Sequence, residues 1–205
     1  MTTYAVLDFE TTGISPGQGA RPTEIAVVLV RDGELVDRYQ SLMNPGVPIP
    51  WEIQQLTGIT NAMVSKAPSV ASVMAEAASF VADHVPVAHN AAFDRKFWEA
   101  ELQDIGLVPR QGFVCSLLLA RRLFPSAPNH KLGTLVNTLS LPATGRYHRA
   151  LADAEATAYL LLKIKETLRN RFSLQSVPAE LLSLVQKAPV RGLEKSVASY
   201  LAGRD

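Results

Sequence analysis

Cysteine is almost missing from this chain: Cys115 stands alone among 205 residues. One thiol excludes an intrachain disulfide and a cysteine-rich zinc site. It fits a reducing, cytoplasmic compartment. An excess of either charge is missing too. The formal net charge is +1 and the pI about 7.9, so there is no global basic field to drive non-specific duplex binding. A nucleic-acid partner would have to be held by a local patch or by metals. No apolar run approaches the ~20 residues of a spanning helix, so no membrane is expected. The N-terminus has no basic n-region and reaches Asp8 at once, unlike a signal peptide. Repeats of fixed period and low-complexity tracts are also absent. What remains is a globular composition, 47% hydrophobic and 19% charged. A chain of this length buries roughly two-thirds of its unfolded surface and needs no staple to fold.

Tyr4 to Phe9 and Glu24 to Val30 are apolar runs without a polar face, as in doubly covered strands. Asp32-Gly33 is a type I′ hairpin signal, and Glu34 to Leu42 is the return strand. Pro45, Pro48 and Pro50 predict an irregular stretch. Ser69 caps a helix that runs to about Asp83. A short strand, Val85 to Ala88, leads into a helix from Ala91 to Ile105, closed by Gly106. The apolar run from Phe113 becomes a helix ending before Pro125. A short helix covers Lys131 to Leu139, and a long one about Arg149 to Arg171. A hairpin followed by alternating helices and strands predicts an α/β fold, a mixed sheet with helices on both faces. We read 1–171 as one domain. In 172–205, Pro178 and Pro189 interrupt two amphipathic segments, which reads as a helical appendage.

Several acids sit where acids are costly. Asp8 and Glu10, two apart at the end of the first strand, face one side about 7 Å apart. Either a cation lies between them or the strand ends early and water solvates both. Asp94 points to the side of its helix that carries Phe97 and Ile105, as does Glu101. It either complements the helix dipole or serves chemistry. On the long helix, with Leu151 at zero, Leu160 falls at about 180° and Asp153 at about 200°. A carboxylate in that apolar arc needs a partner, a salt bridge or a ligand. His148 is five residues earlier, about 140° away on a helix, so it approaches Asp153 only from the preceding loop. Its imidazole is suited to take a proton near neutral pH. Together, such carboxylates and a histidine suit two hard divalent cations. A pair of that kind serves phosphoryl transfer.

Asp8-Phe9-Glu10-Thr11-Thr12-Gly13 resembles the first motif of the DEDDh 3′–5′ exonucleases. Val87 to Asp94 (VAHNAAFD) resembles the second, and His148 to Ala154 (HRALADA) the third. Leu56-Thr57-Gly58-Ile59-Thr60 also matches. The resemblance covers about residues 4–168, with the motifs in order. It implies a ribonuclease H-like fold with a mixed sheet of about five strands. It also implies hydrolysis of the 3′-terminal phosphodiester to nucleoside 5′-monophosphates. Asp8, Glu10, Asp94 and Asp153 would be ligands of two Mg²⁺ or Mn²⁺ ions, with His148 as the general base. Thr11, Thr12 and Gly13 would meet the terminal nucleotide, with Ile14, Leu56 and Asn90 as further contacts. Many relatives carry aspartate near Cys115, which here reads as a small apolar residue.

The expected partner is a single-stranded 3′ end, DNA before RNA. A polymerase subunit or a second copy of the chain could dock on the tail. An inactive binding module is the reading from another class, and the presence of all five motif residues speaks against it. Arg95, Lys96, Arg121, Arg122, Lys131, Arg146 and Arg149 are the cations that could hold the strand.

Overall fold

The structure is a computed structural model and describes residues 2–109, 112–146 and 148–203. The outer ends of the two expected units, residues 1 and 204–205, lie outside these. β1 (Tyr4–Thr11), β2 (Pro22–Arg31) and β3 (Glu34–Leu42) form an antiparallel meander. Asp32 and Gly33 have φ values of 54° and 90°, the double positive φ of a type I′ turn. Next come α1 (Trp51–Thr57), α2 (Asn61–Val64) and α3 (Val70–Val81), the last capped by the Ser69 hydroxyl, which accepts from Ser72 N–H. The proline-rich stretch is therefore not irregular throughout. Pro50 stands at the N-cap of α1, where a missing N–H costs no helical hydrogen bond.

β4 (Val85–Ala88) pairs parallel with β1, and α4 (Ala92–Asp104) follows it. The two-residue β5 (Val114–Cys115) pairs parallel with β4 and runs into α5 (Ser116–Leu123). α6 (Leu132–Thr138) and the long α7 (Ala150–Phe172) complete the expected elements. The sheet order is β3-β2-β1-β4-β5, which puts β1 at the centre. No helix among the described residues is long and apolar enough to cross a membrane.

Alternation along β1 decides where its acids point. Tyr4 and Val6 face α7, packing with Leu160, Leu161, Ile164 and Leu168. Ala5, Leu7 and Phe9 face α3 and α4, packing with Met74, Ala77 and Phe97. Period two then carries Asp8 and Glu10 onto the α7 side. β1 continues two residues beyond Phe9, so both acids lie within the paired strand.

Phe172 ends α7, so the tail starts one residue later than expected, and residues 173–203 carry α8 (Ala179–Val185) and α9 (Leu193–Ala202). Leu181, Leu182, Val185, Leu193 and Val197 are buried in the same cluster as α7. Each such side chain contributes roughly 2 kcal/mol on burial, so the apolar faces of the tail turn inward. The tail also finishes the sheet. Gln186 Oε1 accepts from Cys115 N–H at 2.7 Å, and its Nε2 donates to the Phe113 carbonyl at 3.1 Å. One side chain thus satisfies the open edge beside β5. Gln186→Leu leaves both buried groups without a partner, a cost of about 2 kcal/mol or more. A thermal melt should show a fall of roughly 4–8 °C; a shift under about 2 °C would mean that the edge is satisfied some other way.

Candidate active site

The carboxyl ends of β1 and β4 meet the first turns of α4 and α7 at a cleft of about 280 Å³. Asp8, Glu10, Thr11, Gly13, Ile14, Leu56, Asn90, Asp94, His148 and Asp153 all line it. Thr12 does not. Its buried hydroxyl accepts from Arg21 N–H at 2.9 Å and so fixes the loop after β1. Phe9, Ile53, Thr57, His89 and Phe93 line the cleft as well; as apolar or motif-internal residues they carried no separate sequence signal.

Each acid arrives by a local device. Glu10 is buried and Asp8 half-buried, and neither carboxylate makes a hydrogen bond to a described residue. Asp94, 2% exposed, accepts from Phe9 N–H through Oδ1 at 3.1 Å, which docks α4 onto β1. Asn90, at φ 66°, turns the chain between β4 and α4. His148 lies before α7 at φ 62°. Its N–H donates to Asp153 Oδ2 at 3.0 Å. The loop position thus lets residues five apart meet. One ligand atom each of Glu10, His148 and Asp153 lie within 4.8 Å of one another.

Glu24 is a further buried acid, directly opposite Glu10 across the β1–β2 pair. Both its oxygens are taken. They accept from Arg149 Nε and a terminal guanidinium nitrogen (3.1 and 2.8 Å), Ala150 N–H (3.0 Å) and Gln40 Nε2 (2.8 Å). Glu24 therefore seats the start of α7. Glu101, the other misplaced acid on the Asp94 side of α4, is held by Arg21 at 2.9 Å. Arg21 is supplied by the loop before β2.

The remaining carboxylates have open oxygens and repel one another. Burial, then Asp94, Glu10, Asp153 and Glu24, push the Asp8 carboxyl well above its usual range. Burial and the neighbouring acids raise Glu10 to about 8. Asp94 rises to about 7 through burial, against the opposing Phe9 hydrogen bond. Asp153 is raised by burial too, and its Oδ1 is buried with no partner among the described residues. Oxygen donors with free lone pairs, mutual repulsion and an orphaned carboxylate oxygen fit hard divalent cations.

Known proteins resemble this chain in sequence and in fold. Residues 5–161 match the RNase_T exonuclease family. The PolC-type DNA polymerase III of Bacillus cereus is 41% identical over 172 residues, 83% of this chain and 12% of that protein. The Bacillus subtilis enzyme of the same name is 39% identical over 164 residues, 79% of this chain and 11% of that one. The chain thus spans about a tenth of the length of these curated relatives. Exonuclease X, solved in complex with 5′-overhanging duplex DNA, is 30% identical with a TM-score of 0.68, covering 91% of this chain and 99% of that one. The nuclease domain of 3′hExo, a DEDDh family member bound to rAMP, has a TM-score of 0.70 at 20% identity, covering 86% and 96%; this shows the shared fold. The chain belongs to the DEDDh 3′–5′ exonuclease family and has its ribonuclease H-like fold. Exonucleases of this kind use divalent metal ions.

Proposed function

We propose that the substrate is the 3′ end of single-stranded DNA, trimmed to nucleoside 5′-monophosphates in proofreading or repair. The observation that carries this is the convergence of Asp8, Glu10, Asp94, Asp153 and His148 on one cleft with an apolar rim. The four carboxylates would hold two Mg²⁺ or Mn²⁺ ions, which when bound supply charge stabilisation to the attacking and leaving oxygens. His148 is exposed and tied through its backbone to Asp153, so its imidazole is free to take a proton from water at the acids. Thr11 Oγ1 donates to the Gly13 carbonyl at 2.6 Å, which folds the chain after β1 into a wall of the cleft. A Cβ on Gly13 would stand 3.3 Å from Ala20 Cβ, so that wall leaves little room for a side chain. Ile14 and Leu56 are 72% and 48% exposed, suitably open to cover the terminal base.

The PolC-type relatives carry the matching stretch within a DNA polymerase. This supports DNA over RNA, and a polymerase as the partner that keeps the enzyme near its substrate. A reducing, cytoplasmic setting belongs to the same proposal.

Leu56→Ala should raise KM about ten-fold and leave kcat within two-fold, since one lost apolar contact is worth roughly 1–3 kcal/mol. Steady-state kinetics on a short oligonucleotide would decide; a matching loss in kcat would place Leu56 in the chemistry instead. The substrate proposal is tested with 3′-labelled single-stranded DNA and RNA oligonucleotides in Mg²⁺, Mn²⁺ or chelator. Metal-dependent mononucleotide release, faster from DNA, is expected. Faster release from RNA would reassign the substrate.

A further inference from the structure

Resting on the exonuclease reading, we propose that a groove beside the cleft carries the substrate strand 5′ to the scissile bond, with Arg121 and Lys131 holding its phosphates. The groove has a volume of about 1090 Å³ and shares His89, Asn90, His148 and Asp153 with the cleft. The cleft alone is far smaller, so a polymeric substrate must leave it. On one rim, Ile14, Ile53 and Leu56 present apolar groups. Along the groove, the only acid among the described residues is Asp153, at the shared edge.

The structure sorts the basic residues. Arg149 is committed to Glu24. Arg122 donates to the Ala188 and Leu118 carbonyls. Arg95 pairs with Glu99, and Lys96 donates to the Ile14 carbonyl. The Arg146 guanidinium lies against Gly58. Arg121 and Lys131 line the groove, are exposed, and make no side-chain ion pair or hydrogen bond among the described residues. In the same groove, Leu117 and Leu132 offer apolar surface, and Asn129 and Asn137 offer neutral polar groups.

The loop before Lys131 is anchored to the second motif. His89 Nε2 lies 2.9 Å from the His130 carbonyl, and Nδ1 lies 2.9 Å from Ser116 Oγ. A carbonyl only accepts, so Nε2 carries the hydrogen. Burial pulls the imidazole down to about 4, and the neutral ring then accepts from Ser116 at Nδ1. This bridge fixes the basic loop relative to the cleft.

The test compares wild type with the Arg121→Ala/Lys131→Ala double variant on a decanucleotide and on the p-nitrophenyl ester of thymidine 5′-monophosphate. The ester has no phosphate beyond the scissile one, so it offers neither cation a backbone phosphate to hold. On the decamer, kcat/KM should fall at least about ten-fold in the variant. Its salt dependence should flatten by about 0.7 log units per log[salt] for each cation removed. Ester hydrolysis should stay within two-fold, and Arg121→Lys/Lys131→Arg should restore the decamer rate. An unchanged decamer rate and salt slope would overturn the proposal, as would an equal loss on the ester. If wild type hydrolyses neither substrate with Mg²⁺ or Mn²⁺, the exonuclease reading itself falls.

Discussion

Asp8→Asn will abolish nearly all hydrolysis and make the metal-free protein more stable. Asp8 sits on the central strand, on the face it shares with Glu10 and toward Asp153. Cation ligation contributes several kcal/mol to phosphoryl transfer, and each 1.36 kcal/mol is ten-fold in rate. A drop in kcat of at least about 10³ is therefore expected. Stability moves the other way. Asp8 is desolvated and repelled by Asp94, Glu10, Asp153 and Glu24. Its folded pKa is raised, so its ionised form destabilises the fold above that pKa, and this penalty vanishes once pH falls below the unfolded value. Asparagine keeps the shape and removes the charge. At pH 8 in chelator the variant should melt a few degrees above wild type, and at pH 4 the difference should close. Hydrolysis at near the wild-type rate would refute the role of Asp8.

His148→Asn is expected to lower kcat by roughly 10²–10⁴, the range of general acid–base catalysis. Asparagine suits the test because it tolerates the left-handed backbone that His148 adopts at φ 62°. His148 is exposed, so folding should survive. The proximity of its ring to Glu10 and Asp153 allows a different role, as a cation ligand. The two separate cleanly. A base leaves Mn²⁺ affinity unchanged and flattens the acid limb of the pH–rate profile; a ligand loses affinity and keeps the limb.

The residues of the proposed site were legible because they break local rules. Asp8, Glu10, Asp94 and Asp153 are acids on apolar faces, and motif order tied them together. β3 and β4, the Asp32-Gly33 turn and the Ser69 cap follow from local pattern alone and hold in the structure. What stayed hidden is non-local or short. Glu24 reads as an ordinary strand residue until Arg149, far along the chain, closes on it. Glu101 needs Arg21 in the same way. α1 and α2 are too short for periodicity, and the prolines before α1 read as breakers. Thr12 looks equivalent to Thr11 in sequence, but the irregular pairing between Glu10 and Thr11 leaves it hydrogen-bonded to Arg21 and off the cleft. The inward turn of the tail depends on which core its apolar stripes meet, which no local window contains.

We propose above that the acids around β1 form a cation site. The most direct measurement is the melting temperature between pH 5 and pH 8.5, in chelator and in saturating Mn²⁺. Glu10 and Asp94 have folded pKa values raised to about 8 and 7. In chelator, stability should therefore fall as pH rises through this window. Mn²⁺ should raise the melting temperature, most at high pH, by stabilising the ionised set. A melting temperature that is flat with pH and indifferent to Mn²⁺ would contradict the account.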